Sequence, residues 1–289
     1  MKDAGLMEPL VLSALFLYLE DSMVERIDSP ANKKVKLAAS LHSRKHRDKE
    51  GLFIAEGIRL VEMVAASGWA VRYGFYTPEL LAQARGKELC AKLAEQGVTL
   101  YEVPAPVYQK ASATDTPQGI LVVAEQKKSR LAELAAAENP IYVVLDGVQD
   151  PGNAGTIIRT ADAVGANGVI LLKGSVDVFS DKTVRSTMGS LFHLPVCPDV
   201  SAEDLQAFLT SQNLTIYATA LDASAKPHFE QDFRQGCAIV FGNEGNGVSA
   251  ELLQAAVKTY IPMYGEAESL NVGVSAAVVL YEAVRQRKF

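Results

Sequence analysis

The chain is constrained first by a repeated unit: a short, wholly apolar run that stops at glycine or asparagine, followed by a stretch with helical spacing. IYVVLDG (141–147), GVILLKG (168–174) and CAIVFGN (237–243) are the clearest runs. A strand apolar on both faces must be covered on both, so this alternation predicts an α/β fold, a parallel sheet with helices on each side. LTIYATAL (214–221), a short strand near 194–197 and KTYIPM (258–263) extend the sheet. Helices are expected over 154–165, 202–211, from 249 and over 270–287, and the residues before 126 are expected to form a small α/β unit of their own.

Upstream, Ser29 followed by Pro30 predicts a helix start, a side-chain cap and then a residue fixed at helical φ, with Val35, Leu37 and Leu41 continuing it. GLFIAEG (51–57), VRYGFY (71–76), VTLYEV (98–103) and GILVVAE (119–125) read as strands, with helices opening at Ile58 and running from Pro78 to Glu95. Residues 127–139 are charged, alanine-rich and end in proline, as a connector does. The expected division is a leader over 1–22, a first domain over 23–126 and a second over 140–289.

With 289 residues, 48% hydrophobic and 21% charged, the chain has the make-up of a folded protein with room for two domains. Cys90, Cys197 and Cys237 are too scattered for a disulfide framework, and they show no zinc spacing with His42, His46, His193 or His228. A reducing, cytoplasmic setting without a metal fits. The net charge of −6 argues at first against a nucleic-acid partner, but the charge is uneven. Lys33, Lys34, Lys36, Arg44, Lys45, Arg47 and Lys49 face one acid, Asp48, so this stretch carries +6 against −12 for the remainder. That is the footprint of an RNA-phosphate surface, the alternative being a solvated helix face. PLVLSALFLYLE (9–20) resembles a signal-peptide core but is shorter than the roughly 20 residues a membrane span needs. Asp3 and Glu8 flank it and no cleavage pattern follows, so residues 1–22 are expected to be dispensable, with Met23 as an alternative start and no membrane partner.

In a parallel α/β sheet, ligands sit beyond the carboxyl ends of strands, and three loops there stand out. QDPGNAGTIIRTADAVGA (149–166) has a Pro-Gly turn, Asn153 where it can cap the next helix, and Arg159 inside that helix. It is neither a GxGxxG turn nor a P-loop, which removes the dehydrogenase reading. AIVFGNEGNGVS (238–249) ends an apolar strand in three glycines around Glu244, where backbone can approach a ligand closely. YIPMYGEAESLNVGVSAAVVLYEAVRQRK (260–288) joins an IPM strand to a helix that starts at Ser269, Leu270 and Asn271, with small residues that suit close packing.

Taken in this order, the three segments resemble the motifs of the SpoU-type (TrmH-like) RNA ribose 2′-O-methyltransferases of the SPOUT superfamily, over residues 141–288. SPANKKVKLAASLHSRKHRDKEGLFIAEGIRLV (29–61) resembles the start of that family's small, ribosomal-protein-like RNA-binding domain. The resemblance implies a trefoil knot, a homodimer through the catalytic domain and S-adenosylmethionine as cofactor, held around Gly242, Ile261 and Leu270, with Thr219, Leu221 and Met263 nearby. It implies ribosomal RNA as the substrate, with transfer RNA second and a non-catalytic RNA-binding protein as the rival. Arg159 is then the catalytic arginine. A guanidinium stays protonated above pH 12, so its expected work is to clamp the phosphate beside the target ribose and stabilise developing charge, any proton acceptance depending on bound RNA. The alternative is an arginine ion-paired within the fold. Asn153 is expected to position Arg159 or the substrate, or to cap a helix. Glu244 is expected to organise its loop or orient Arg159 or Asn271, and Asn271 to offer the helix start.

Overall fold

The computed structural model describes residues 25–134 and 137–289, and the expectations for the leader and for Met23 lie outside them. The chain forms two compact units, one ending at Glu125 and the other beginning at Gln126.

The first unit contains α1 (Lys33–Ser40), α2 (Arg44–Glu50), β1 (Leu52–Glu56), α3 (Ile58–Ser67), β2 (Val71–Tyr76), α4 (Ala84–Glu95), β3 (Leu100–Glu102), α5 (Ala105–Ala111) and β4 (Ile120–Glu125). Helix α1 starts later than Ser29-Pro30 suggests. Ser29 Oγ accepts from Ala31 N at 3.2 Å in a local turn, and Asn32 is the cap, its side chain accepting from Lys34 N at 2.8 Å. The sheet order is β1-β4-β2-β3, with β4 antiparallel to both neighbours and β2 parallel to β3. This sheet is thus mixed, within a unit expected only to be α/β. A central strand buried on both faces reads as one apolar run in either direction, and Ile120 to Ala124 are all fully buried. Phe53, Phe75 and Tyr108 fill the core around that strand.

The second unit holds seven strands in the order β7-β6-β5-β10-β8-β11-β9, every pairing parallel. In chain order they are β5 (Ile141–Asp146), β6 (Gly168–Leu172), β7 (Val196–Val200), β8 (Thr215–Thr219), β9 (Lys226–Pro227), β10 (Cys237–Gly242) and β11 (Val257–Tyr260). The helices are α6 (Pro151–Ala163), α7 (Asp181–Ser186), α8 (Ala202–Ser211), α9 (Ala250–Ala255) and α10 (Val272–Lys288). Side chains alternate faces along a strand. Tyr142, Val144 and Val240 meet Leu205, Leu209 and Leu252 of α8 and α9 on one side, while Val143 and Leu145, equally buried, point to the other. Both faces are covered, as the apolar runs require. The stretch read as a connector is partly tied down: Ser129 N donates to Val196 O at 2.9 Å, and Leu134 is buried in the same core as Tyr142. All three cysteines are buried free thiols, and burial pushes Cys90 and Cys197 up to about 12 and Cys237 to about 11.

Candidate functional site

Three loops at the carboxyl end of the second sheet meet around a line of side-chain hydrogen bonds. The first follows β5. Asp150, not Asn153, caps α6: its carboxylate accepts from Asn153 N at 2.8 Å, and Pro151 occupies the first helical position. Asp-Pro already supplies the cap and the fixed φ, so the Asn153 side chain, one turn in, is released to face the other loops.

The second loop follows β10. Asn243 and Gly247 exchange backbone hydrogen bonds of 3.0 and 2.9 Å, with Gly247 at φ +71°. A Cβ on Gly242 would overlap the backbone of Gly247 and Val248, so the return passes where only glycine fits. Asn243 sets the loop's direction: Nδ2 donates to Gly147 O at 2.8 Å, and Oδ1 accepts from Gly245 N and Asn246 N at 3.0 Å each. Glu244 is thereby turned toward the exit of β5, where it accepts from Asn153 Nδ2 at 2.9 Å, Asp150 N at 3.2 Å and Gln149 N at 3.3 Å.

The third loop ends at Asn271, which precedes α10 as its cap rather than lying inside the helix. Its Oδ1 accepts from Gly273 N at 2.9 Å and Val274 N at 3.3 Å, and its Nδ2 donates to Asn153 Oδ1 at 2.9 Å. The polarity of this relay is fixed from both ends. Backbone N–H groups claim Asn271 Oδ1, so its amide must donate. Asn153 must then accept on one side and donate on the other, to a carboxylate that can only accept. Burial raises the Glu244 carboxyl, but the hydrogen bonds from Asn153, its own backbone, Gln149 and Asp150 outweigh it, and the group ends below its ordinary value.

Arg159 does not join the relay. It lies six residues beyond Asn153, about 9 Å further along α6 and about 120° around it. It is exposed, and among the described residues it has no hydrogen-bond or ion-pair partner, so the arginine ion-paired within the fold is not what is found. The expected contacts of Asn153 and Glu244 with Arg159 are likewise absent among the described residues, the two side chains being bonded to each other.

The cofactor candidates gather at one edge. β10, β8 and β11 are neighbours, with Val240 paired to Ala218 and Thr219 to Thr259, so Gly242, Thr219, Leu221, Ile261 and Met263 stand at or just beyond adjacent strand ends. Leu270 adjoins Asn271 and is brought to the same end by the relay. Leu221 is 76% and Leu270 37% exposed. Exposed apolar side chains beside strand-end backbone suit a purine nucleoside, and no cluster of metal-ligating side chains occurs among the described residues.

In the first unit, Lys33, Lys36, Arg44, Lys45 and Lys49 are exposed as an RNA surface requires. Arg47 is not: it is 4% exposed, and its guanidinium donates to Leu41 O at 2.6 Å. Lys34 is half-buried with its ammonium 4.9 Å from the centre of the Tyr101 ring. A charge count registers both as surface cations, because it carries no information about which way a side chain turns. Sequence reasoning also passed over Asn243, although Asn before Glu-Gly at a strand end is an Asx-turn signal. Ser175 was missed as well; buried, it accepts from Gly147 N at 3.1 Å, donates to Leu145 O at 3.0 Å, and gives no local pattern.

The fold and site define an α/β chain of the SpoU methylase type joined to a substrate-binding unit. Residues 140–281 match the SpoU rRNA Methylase family, and residues 32–122 match the MRM3-like substrate binding domain. The chain belongs to the SpoU family. It is 37% identical over 262 residues to a 23S rRNA (guanosine(2553)-2′-O)-methyltransferase of Bacillus subtilis, covering 89% of this chain and 98% of that protein. The solved structure of an AdoMet-bound rRNA methyltransferase from Sinorhizobium meliloti is similar, with a TM-score of 0.81 at 35% identity over 90% of this chain and 97% of that one. A tRNA (guanosine(18)-2′-O)-methyltransferase of Thermus thermophilus is 38% identical, but over 56% of this chain and 84% of its own length.

Proposed function

We propose that the protein transfers a methyl group from S-adenosylmethionine to the 2′-hydroxyl of a ribose in ribosomal RNA. The observation that carries this is the Asn271–Asn153–Glu244 relay, which locks three strand-exit loops together in a chain of this family, with an unpartnered Arg159 on the same helix. When bound, S-adenosylmethionine supplies a methyl group already activated on a sulfonium. Gly242, Thr219, Leu221, Ile261, Met263 and Leu270 would hold it, strand-end backbone offering hydrogen bonds and the exposed Leu221 and Leu270 an apolar surface. The relay fixes the strand exits, so that the hydroxyl and the methyl carbon are aligned before reaction, an effect worth several orders of magnitude in rate. Arg159 clamps the phosphate beside the target ribose and stabilises charge developing on the oxygen.

The first unit, ending at Glu125, captures RNA through Lys33, Lys36, Arg44 and Lys45. The match to the rRNA enzyme runs through this unit as well as the second, whereas the match to the tRNA enzyme covers about half the chain, which favours ribosomal RNA. The reading includes a homodimer through the second unit. Val274 and Tyr281, two turns apart on α10, are 48% and 54% exposed, a strip a second copy would cover. It also includes a trefoil knot, in keeping with two loops, 242–248 and 261–271, converging on the start of α6. A cytoplasmic location follows from the proposed substrate, and among the described residues no helix is long and apolar enough to cross a membrane.

Methyl-labelled S-adenosylmethionine offered with protein-free ribosomal RNA and, separately, with transfer RNA tests the proposal. Label in ribosomal RNA at a ribose 2′-oxygen is expected. Label confined to transfer RNA would replace the substrate, and no label in either, with no cofactor binding by calorimetry, would overturn the enzyme reading. Arg159→Ala should lower the rate about a hundredfold or more; a near-normal rate would remove its role.

A further inference from the structure

Arg185 stands on the helix beside Arg159, and the two arginines flank one groove. The register of α7 against α6 is fixed at three levels. Lys182 Nζ lies 3.6 Å from Asp150 Oδ2 at the cap. Further along, a Cβ on Gly155 would come within 2.8 Å of the Ser186 carbonyl carbon and 3.0 Å of Thr187 N. Beyond the end of α7, His193 Nδ1 meets Asp162 Oδ2 at 2.9 Å. The two segments therefore run side by side in the same direction, with no side chain at Gly155 to hold them apart.

Helical geometry then places both guanidiniums. On α7, Thr183, Val184 and Thr187 are buried and Lys182 and Ser186 face α6, which leaves Arg185 on the solvent side of the contact row. On α6, Gly155 and Asp162 form the contact row and Ile157, Ile158 and Ala161 are buried. Arg159, about 40° round from Gly155 and away from that buried side, borders the same groove from across it. Neither arginine has a hydrogen-bond, ion-pair or ring partner among the described residues. The nearby carboxylates are already taken, Asp150 by Lys182 and Asp162 by His193. Arg185 is half-buried, whereas Arg159 is exposed.

Resting on the RNA-methylation reading, we infer that Arg159 and Arg185 form a two-guanidinium cradle for neighbouring phosphodiesters of the strand that carries the target ribose. Planar forks bind phosphate oxygens in pairs and ignore the base, so the cradle holds the strand without reading its sequence. Arg185 is a substrate-positioning residue for a phosphate one step from the reacting ribose.

The test measures RNA affinity of wild type, Arg185→Gln and Arg185→Lys against salt, with a protein-free ribosomal RNA fragment as the probe. Arg185→Gln should bind RNA about tenfold more weakly and flatten the slope of log affinity on log salt by about 0.7–0.9, one phosphate contact. Cofactor affinity and Tm should not move. Arg185→Lys should restore the slope but not the full affinity, since an ammonium keeps the charge without the fork. An unchanged slope with unchanged RNA affinity overturns the inference, as does a lowered Tm with the slope intact, which would make Arg185 a complement to the helix dipole. If wild type binds RNA without methylating it, the functional reading fails while the slope still decides this one; if wild type binds no RNA, both fall.

Discussion

Asn271 performs two tasks with the two ends of one amide, and substitution can separate them. Its Oδ1 caps α10 through Gly273 N and Val274 N, while its Nδ2 holds Asn153. Asn271→Asp keeps the cap, because aspartate caps as well as asparagine does, but it removes the donor and sets an acceptor against Asn153 Oδ1. Asn153 cannot turn over to repair this, since its other end must donate to Glu244. Asn271→Ala loses both. The cap is worth about 1 kcal/mol, which lowers Tm by about 2–4 °C in a unit of this size. The relay bond contributes about 1 kcal/mol and each 1.4 kcal/mol is tenfold in rate, so single-turnover methyl transfer should fall about fivefold to tenfold in both variants. Thermal unfolding should show a larger drop in Tm in Asn271→Ala, which loses the cap as well as the relay bond, than in Asn271→Asp. Wild-type turnover by Asn271→Asp would refute the relay as the element that holds the site.

Glu244 gives a pH signature. A carboxyl held below its unfolded value stabilises the site at pH above that value, and the stabilisation is lost as pH falls through the folded value. Single-turnover rates should therefore stay level down to the ordinary carboxylate range, about 4.3, and fall only below it; an acid limb centred higher, and surviving in Glu244→Gln, would contradict this. Gly242→Ala should displace the 242–248 return and weaken S-adenosylmethionine binding about tenfold or more by calorimetry, because the added carbon meets backbone that cannot step aside. Arg47→Ala strands a buried carbonyl at Leu41, a loss of about 1–3 kcal/mol, so Tm should drop by about 4 °C or more with the RNA salt slope unchanged. Lys45→Ala, at an exposed position, should do the reverse.

The second sheet was legible because its central strands β5, β6 and β10 are buried on both faces, and such strands announce themselves as unbroken apolar runs, whereas the two-residue β9, with neither residue buried, gave no such signal. The same signal carries no strand direction: in the first unit β4 is equally apolar but runs antiparallel to β1 and β2. Asn153, Glu244 and Asn271 were legible as members of one site, since each lies just past a strand or at a helix start. Their mutual bonds were not, and neither was the cap at Asp150, which displaces Asn153 from the simpler role. Arg47 shows the limit most plainly: three residues after Arg44 and two after Lys45 it looks like one more surface cation, and only the packing of α2 on the core turns it inward.

The relay spans a long stretch of chain, and this sets the order of events during synthesis. Asn153 and Asn271 are 118 residues apart, and Glu244 lies 91 residues after Asn153. Chains are made from the amino terminus, so the start of α6 exists, capped and waiting, long before either partner has been polymerised. Contacts this distant in sequence also form late in refolding. A newborn chain can thus acquire its RNA-capturing unit while its methylating site is still missing two sides, and it passes from a binder of its substrate to a modifier of it only when the last helix docks.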